Sequence, residues 1–152
     1  MDERYLENAG LPRQAVKGFI SLAGPVRTFW TDPDVQEAMG PAEGWSSTYP
    51  MIHIDGRESP VLLLHGSGDR TVSPDNSLQL ADDIHKQGGC ARVILYPRMS
   101  HFGIIKALAT PRFSNASVLE DLGDFVRAPD SGACLLPRKP PVKPEPPVKR
   151  DP

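Results

Sequence analysis

Apolar residues fall along this chain in short blocks of two kinds, continuous runs and helically spaced sets. Three runs are continuous. Residues 17–23 (Lys-Gly-Phe-Ile-Ser-Leu-Ala) close at Gly24-Pro25, 60–65 (Pro-Val-Leu-Leu-Leu-His) at Gly66, and 91–96 (Ala-Arg-Val-Ile-Leu-Tyr) at Pro97. The runs at 17–23 and 60–65 suit strands buried on both faces, as in a parallel sheet.

Between and around them lie helical signals. Tyr5-Leu6 followed by Gly10-Leu11-Pro12 reads as the end of a helix and a turn over residues 1–15. Asp32 caps a short helix over 32–39, with Pro33 in its first turn and Gly40-Pro41 ending it. Residues 41–59 are rich in Gly, Pro, Ser and Thr and read as a loop. Ser73 and Pro74 open a helix that runs to Gln87 and stops at Gly88-Gly89, with Leu80, Ala81 and Ile84 on its buried face. After a loop containing His101, Ser117 and Glu120 form a capping box. They open a last helix whose Val118, Leu119, Leu122, Phe125 and Val126 recur at helical spacing.

Strands separated by helical segments require right-handed crossovers and a parallel sheet, so the predicted class is α/β with about three parallel strands. In such sheets functional residues gather beyond the C-terminal ends of the strands. Asp69 follows the second strand and His101 the third. Beyond residue 128 the composition changes: 137–152, PRKPPVKPEPPVKRDP, holds almost no large apolar side chains. Such a segment cannot offset its ordering entropy. The expected organisation is one domain over 1–128 and a disordered Pro/Lys-rich tail over 129–152.

Composition narrows the function classes. The 152 residues carry a formal net charge of −2, which gives no electrostatic reason to expect a nucleic-acid partner. No apolar run approaches the ~20 residues of a membrane helix. The opening Met1-Asp2-Glu3-Arg4 has acids where a signal peptide needs a basic and then an apolar region, so a cytoplasmic location is expected. Cys90 and Cys134 lack metal or redox spacing and are expected as free thiols.

Leu64-His65-Gly66-Ser67-Gly68-Asp69-Arg70-Thr71-Val72, followed by Tyr96-Pro97-Arg98-Met99-Ser100-His101, resembles the last third of serine esterases of the α/β-hydrolase superfamily. The resemblance extends over residues 3–127 and is greatest to the carboxylesterase and kynurenine formamidase-like branch. It implies the C-terminal part of an α/β-hydrolase fold, with Asp69 as triad acid and His101 as triad base. The superfamily's chain order is nucleophile, acid, base, and the last two occur here in that order. A carboxylate fixes the imidazole tautomer, and the imidazole takes the proton from a serine and returns it to the leaving group.

The departure from the family pattern is upstream. No serine lies in Gly-x-Ser-x-Gly: Ser21, Ser46, Ser47 and Ser67 all fail, and the Gly-rich oxyanion loop is absent. The chain begins where the helix after the nucleophile elbow should be ending, so it reads as a fragment inactive on its own. The strand expected beside residues 17–23 is also missing, and an open apolar edge favours self-association.

Other residues have plainer readings. Asp69 as a simple turn residue and Asp75 as a rival acid both fit local rules, but Asp75 sits in a helix first turn, where an acid is favoured by the dipole. His65 ends a strand and reads as structural, His85 as solvated, and His53 as a loop residue without visible partner. A zinc site from His65, Asp69 and His101 lacks ligand spacing, and no metal or other cofactor is expected. Phe29, Trp30, Phe102, Ile104 and Ile105 fit either an acyl pocket or the core. Arg138-x-x-Pro141-x-x-Pro144 and Pro144-x-x-Pro147-x-Lys149 match polyproline-groove ligands but equally a solubilising end. Two functions follow: a serine hydrolase for a small ester or amide once an N-terminal half completes it, or a non-catalytic remnant serving as an interaction module.

Overall fold

A computed structural model describes residues 4–26, 31–109 and 117–128. Phe29, Trp30, Cys134 and the expected tail over 129–152 lie outside the described residues.

The three apolar runs form one parallel sheet in the order β1-β2-β3, where β1 is Phe19–Leu22, β2 Val61–Gly66 and β3 Ala91–Tyr96. β2 pairs on both sides, Leu64 opposing Leu22 and Ile94, and all six of its residues are buried. Strand alternation then sends its residues to two faces. Leu62 and Leu64 pack with Ile104, Ala107, Val118 and Phe125, while Val61 and Leu63 pack with Leu80, Ala81 and Ile84. Each fully buried leucine contributes roughly 1.5–3 kcal/mol of transfer free energy. β2 is therefore the axis of the fold.

The helices covering those faces are α3 (Asp75–Lys86) on one side, and α4 (His101–Ala109) with α5 (Ser117–Arg127) on the other. α3 opens with the Asp75 amide donating to Ser73 Oγ. It stops at Gly88, whose φ of 84° suits only glycine comfortably, and whose N–H returns to the His85 carbonyl. α1 (Arg4–Asn8) ends at Gly10 as expected, and Asp32 caps α2 (Pro33–Met39) by accepting from the Asp34 and Val35 amides. Tyr96 at the end of β3 donates its hydroxyl to buried Asp121 of α5 at 2.8 Å, tying sheet to helix. Burial and that carboxylate push the Tyr96 phenol far above its usual range.

Several expectations need correction. β1 is only half-buried, with Ile20 exposed, because no strand among the described residues pairs with its outer side. Phe19 and Ala23 donate inward to Pro60 and Leu64, so the backbone groups of Ile20 and Leu22 face that open side. Residues 41–59 are not plain loop: 3-10 helices span Ala42–Thr48 and Pro50–His53. His53 and His85 each find a carbonyl, of Ser47 and Ala91 respectively. Cys90 is not a free thiol; it is disulfide-bonded, with its partner outside the described residues. No helix among the described residues is long and apolar enough to cross a membrane.

Candidate active site

Beyond the C-terminal ends of β2 and β3, two turns lock into each other. Ser67 N–H donates to the Tyr96 carbonyl at 2.9 Å and Gly68 N–H to that of Met99 at 3.0 Å, while Ser67 Oγ accepts from Arg98 N–H at 3.0 Å. This approach is close enough to dictate Gly66. A Cβ there would stand 2.1 Å from the Met99 carbonyl oxygen, a contact no side chain tolerates. The Gly66-Ser67-Gly68 run thus lets one turn lie backbone-to-backbone on the other.

The locked turns bring Asp69 and His101 together. His101 Nδ1 donates to Asp69 Oδ2 at 2.8 Å, across 32 positions of sequence. The carboxylate is wholly buried, while the imidazole keeps 20% of its surface exposed. A carboxylate only accepts, so Nδ1 bears a proton, which in a neutral imidazole leaves the lone pair on Nε2. The other oxygen, Oδ1, accepts from the Thr71 and Val72 amides at 2.8 and 2.9 Å. Burial pushes the Asp69 carboxyl upward, but the Val72 amide, the His101 imidazole and the Thr71 amide outweigh it and hold the group below its ordinary range. Asp69 is thus an ionised carboxylate, held by two amides and paired with a partly exposed imidazole. Asp75, the rival acid, is exposed on α3.

His101 itself is not in a loop. It begins α4, whose first turn is closed by Gly103 N–H bonding to Ser100. Phe102 stands edge-on to the His101 ring at 5.5 Å and is 65% exposed, Ile105 is also exposed, and Ile104 is core. His65 is fully buried beneath the acid turn. Its Nδ1 lies 2.8 Å from Ser77 Oγ, and its Nε2 lies 3.0 Å from the Val72 carbonyl and 3.3 Å from Asp69 Oδ2. The serines nearest in sequence are engaged elsewhere: Ser67 with Arg98, Ser73 with Asp75, Ser77 with His65, and Ser100 with Gly103. No trio of His, Cys, Asp or Glu among the described residues is placed to hold a metal ion.

A cavity of about 370 Å³ opens at the opposite end, among Arg13, Lys17, Arg57 and Glu58. It lies before the starts of β1 and β2, where open α/β sheets do not place their chemistry. Its wall is braced by Asp55, which takes both Nη atoms of Arg13 and is held well below the usual carboxylate range by that guanidinium.

Comparison with known proteins agrees with this architecture. The profile of the prolyl oligopeptidase family matches residues 25–128. The chain belongs to that family, and so to the α/β-hydrolase superfamily. Among solved structures it is similar to an esterase from Thermogutta terrifontis. Esterase 2 phosphorylated by paraoxon superposes with a TM-score of 0.56 at 20% identity, over 73% of this chain and 39% of the other. The propionate-bound form gives 0.56 at 17% identity, over 82% and 46%. These likenesses show the fold, and the chain spans less than half the length of either structure. No curated protein matches significantly.

Proposed function

We propose that this chain carries the acid and base of a serine hydrolase acting on a small carboxylic ester or amide. Asp69 would orient and stabilise the imidazole, and His101 Nε2 would take the proton from a serine and deliver it to the leaving group. The serine and the oxyanion donors would come from a segment not in this sequence, in a Gly-x-Ser-x-Gly elbow. The 2.8 Å bond between His101 Nδ1 and Asp69 Oδ2 is the observation that carries the reading. The peptidase family to which the chain belongs supports an amide and the esterase neighbours of the same fold support an ester. A partner or a second chain would meet the open edge of β1, and a cytoplasmic location belongs to the same proposal. The Cys90 disulfide weighs against that location, and fractionation that placed the protein in an oxidising compartment would contradict it.

The second reading, a non-catalytic remnant acting as an interaction module, is favoured by the lack of a Gly-x-Ser-x-Gly serine and by the unpaired side of β1. The nucleotide sequence upstream of Met1 separates the two. An in-frame Gly-x-Ser-x-Gly is expected; a stop codon with no such frame behind it would favour the remnant.

A further inference from the structure

The mechanism above uses one histidine, yet two touch the same carboxylate oxygen. His101 approaches Asp69 Oδ2 from the partly exposed side, and His65 approaches it from the interior at 3.3 Å. The partners of His65 fix which nitrogen bears a proton. The Val72 carbonyl can only accept, so Nε2 carries a proton, while the Ser77 hydroxyl, which can donate or accept, meets Nδ1. Val72 is gripped twice, its N–H by Asp69 Oδ1 and its C=O by His65 Nε2. The ring therefore joins three pieces of backbone: its own strand β2, the acid turn 69–72, and the first turn of α3 through Ser77.

We propose, resting on the acid–base reading above, that His65 is a positioning residue. Its Nε2–H holds the Val72 carbonyl and the Oδ2 side of Asp69, so that Oδ2 is presented to His101 while Oδ1 keeps its two amide donors. A fully buried carboxylate has no water to orient it, so its direction is set by the groups that donate to it. The side chain beneath the turn is a donor rather than an aliphatic residue because the Val72 carbonyl and Asp69 Oδ2 both face it. The chain order agrees. His65 sits at the end of β2, four residues before the acid, where a strand side chain and the returning turn meet.

The test compares the full chain with His65→Leu, His65→Gln and Ser77→Ala by NMR, with two readouts. One is the hydrogen-bonded Nδ1 proton of His101; the other is the titration midpoint of the Asp69 carboxyl carbon. Leucine fills similar space without a donor, whereas the glutamine amide can replace Nε2–H. Expected are loss of the His101 Nδ1 signal in His65→Leu and a rise of the Asp69 midpoint by about one unit, as amide and imidazole donors loosen. Substantial retention of both is expected in His65→Gln. Ser77→Ala should shift both readouts in the same direction as His65→Leu, by less, because the ring loses its Nδ1 partner but keeps Val72.

A folded His65→Leu with both readouts unchanged would overturn the proposal, as would a His65→Gln variant as perturbed as His65→Leu, which would make ring packing the cause. If His65→Leu does not fold, Ser77→Ala decides, and unchanged readouts there overturn the proposal. A wild-type spectrum with no bonded His101 Nδ1 proton would instead remove the Asp69–His101 pair itself, and the role of His65 with it.

Discussion

Replacing Gly66 with alanine should break the lock between the two site-bearing turns. The new Cβ would sit 2.1 Å from the Met99 carbonyl oxygen and 2.7 Å from its carbon. Those atoms are backbone and cannot swing away, so the turns must part. Parting loosens the Gly68–Met99 and Ser67–Tyr96 hydrogen bonds, at about 1 kcal/mol each. Overpacking adds about 1–3 kcal/mol. The total, about 3–5 kcal/mol, is a large share of the stability of a typical domain. For a chain of this size it corresponds to a fall in Tm of roughly 10–20 °C. Thermal and urea melts followed by far-UV circular dichroism measure it, with Gly44→Ala as control, since a Cβ at Gly44 meets nothing within 4 Å. Gly44→Ala should stay within about 0.5 kcal/mol of wild type. A Gly66→Ala protein melting within about 3 °C of wild type would refute the close approach on which the site geometry depends.

Three further outcomes follow. Asp69 is held below its ordinary value of 3.8, so the stability it adds is complete above that pH and is lost as pH falls through the lower folded value. Urea midpoints measured downward from about pH 5 should therefore fall less steeply in Asp69→Asn than in wild type, and equal slopes would contradict the assignment. Through the unpaired side of β1 the isolated chain should self-associate with rising concentration in sizing experiments, and Ile20→Lys should reduce this; a monomeric wild type that unfolds cooperatively would count against an open edge. By itself the chain should not turn over p-nitrophenyl esters above buffer. Turnover abolished by His101→Ala would mean that a serine within this sequence serves as nucleophile.

Much of the fold was legible because its signals are local. β2 and β3 were readable as unbroken apolar runs, and α3 as a capped, glycine-stopped segment with Leu80, Ala81 and Ile84 on one face. The ends of α2 were marked by Asp32 and Gly40. Helix α4 was not legible, because its exposed side carries Phe102 and Ile105 as well as the buried Ile104 and Ala107. An apolar residue on every side hides the period of 3.6. Ser100 before His101, bonding to Gly103, was the available start signal.

At the site, Asp69 and His101 were legible from their strand-end positions and motif spacing. The interlocking of their turns was not, since the cost of a Cβ at Gly66 depends on where Met99 lies. The surroundings of His65 were equally hidden. That it is buried follows from its place on a central strand, but its bonds to Ser77 and Val72 arise only when α3 folds back over the sheet.

In the proposed site, Asp69 and His101 are the acid and base, and a serine from elsewhere completes it. The most direct measurement is p-nitrophenyl ester turnover by this chain joined to its upstream segment. Asp69→Asn should lower kcat by roughly 10⁴-fold and His101→Ala by roughly 10⁶-fold, as expected when the orienting carboxylate or the imidazole is lost from a serine triad. Turnover that survives both substitutions unchanged would contradict the claim.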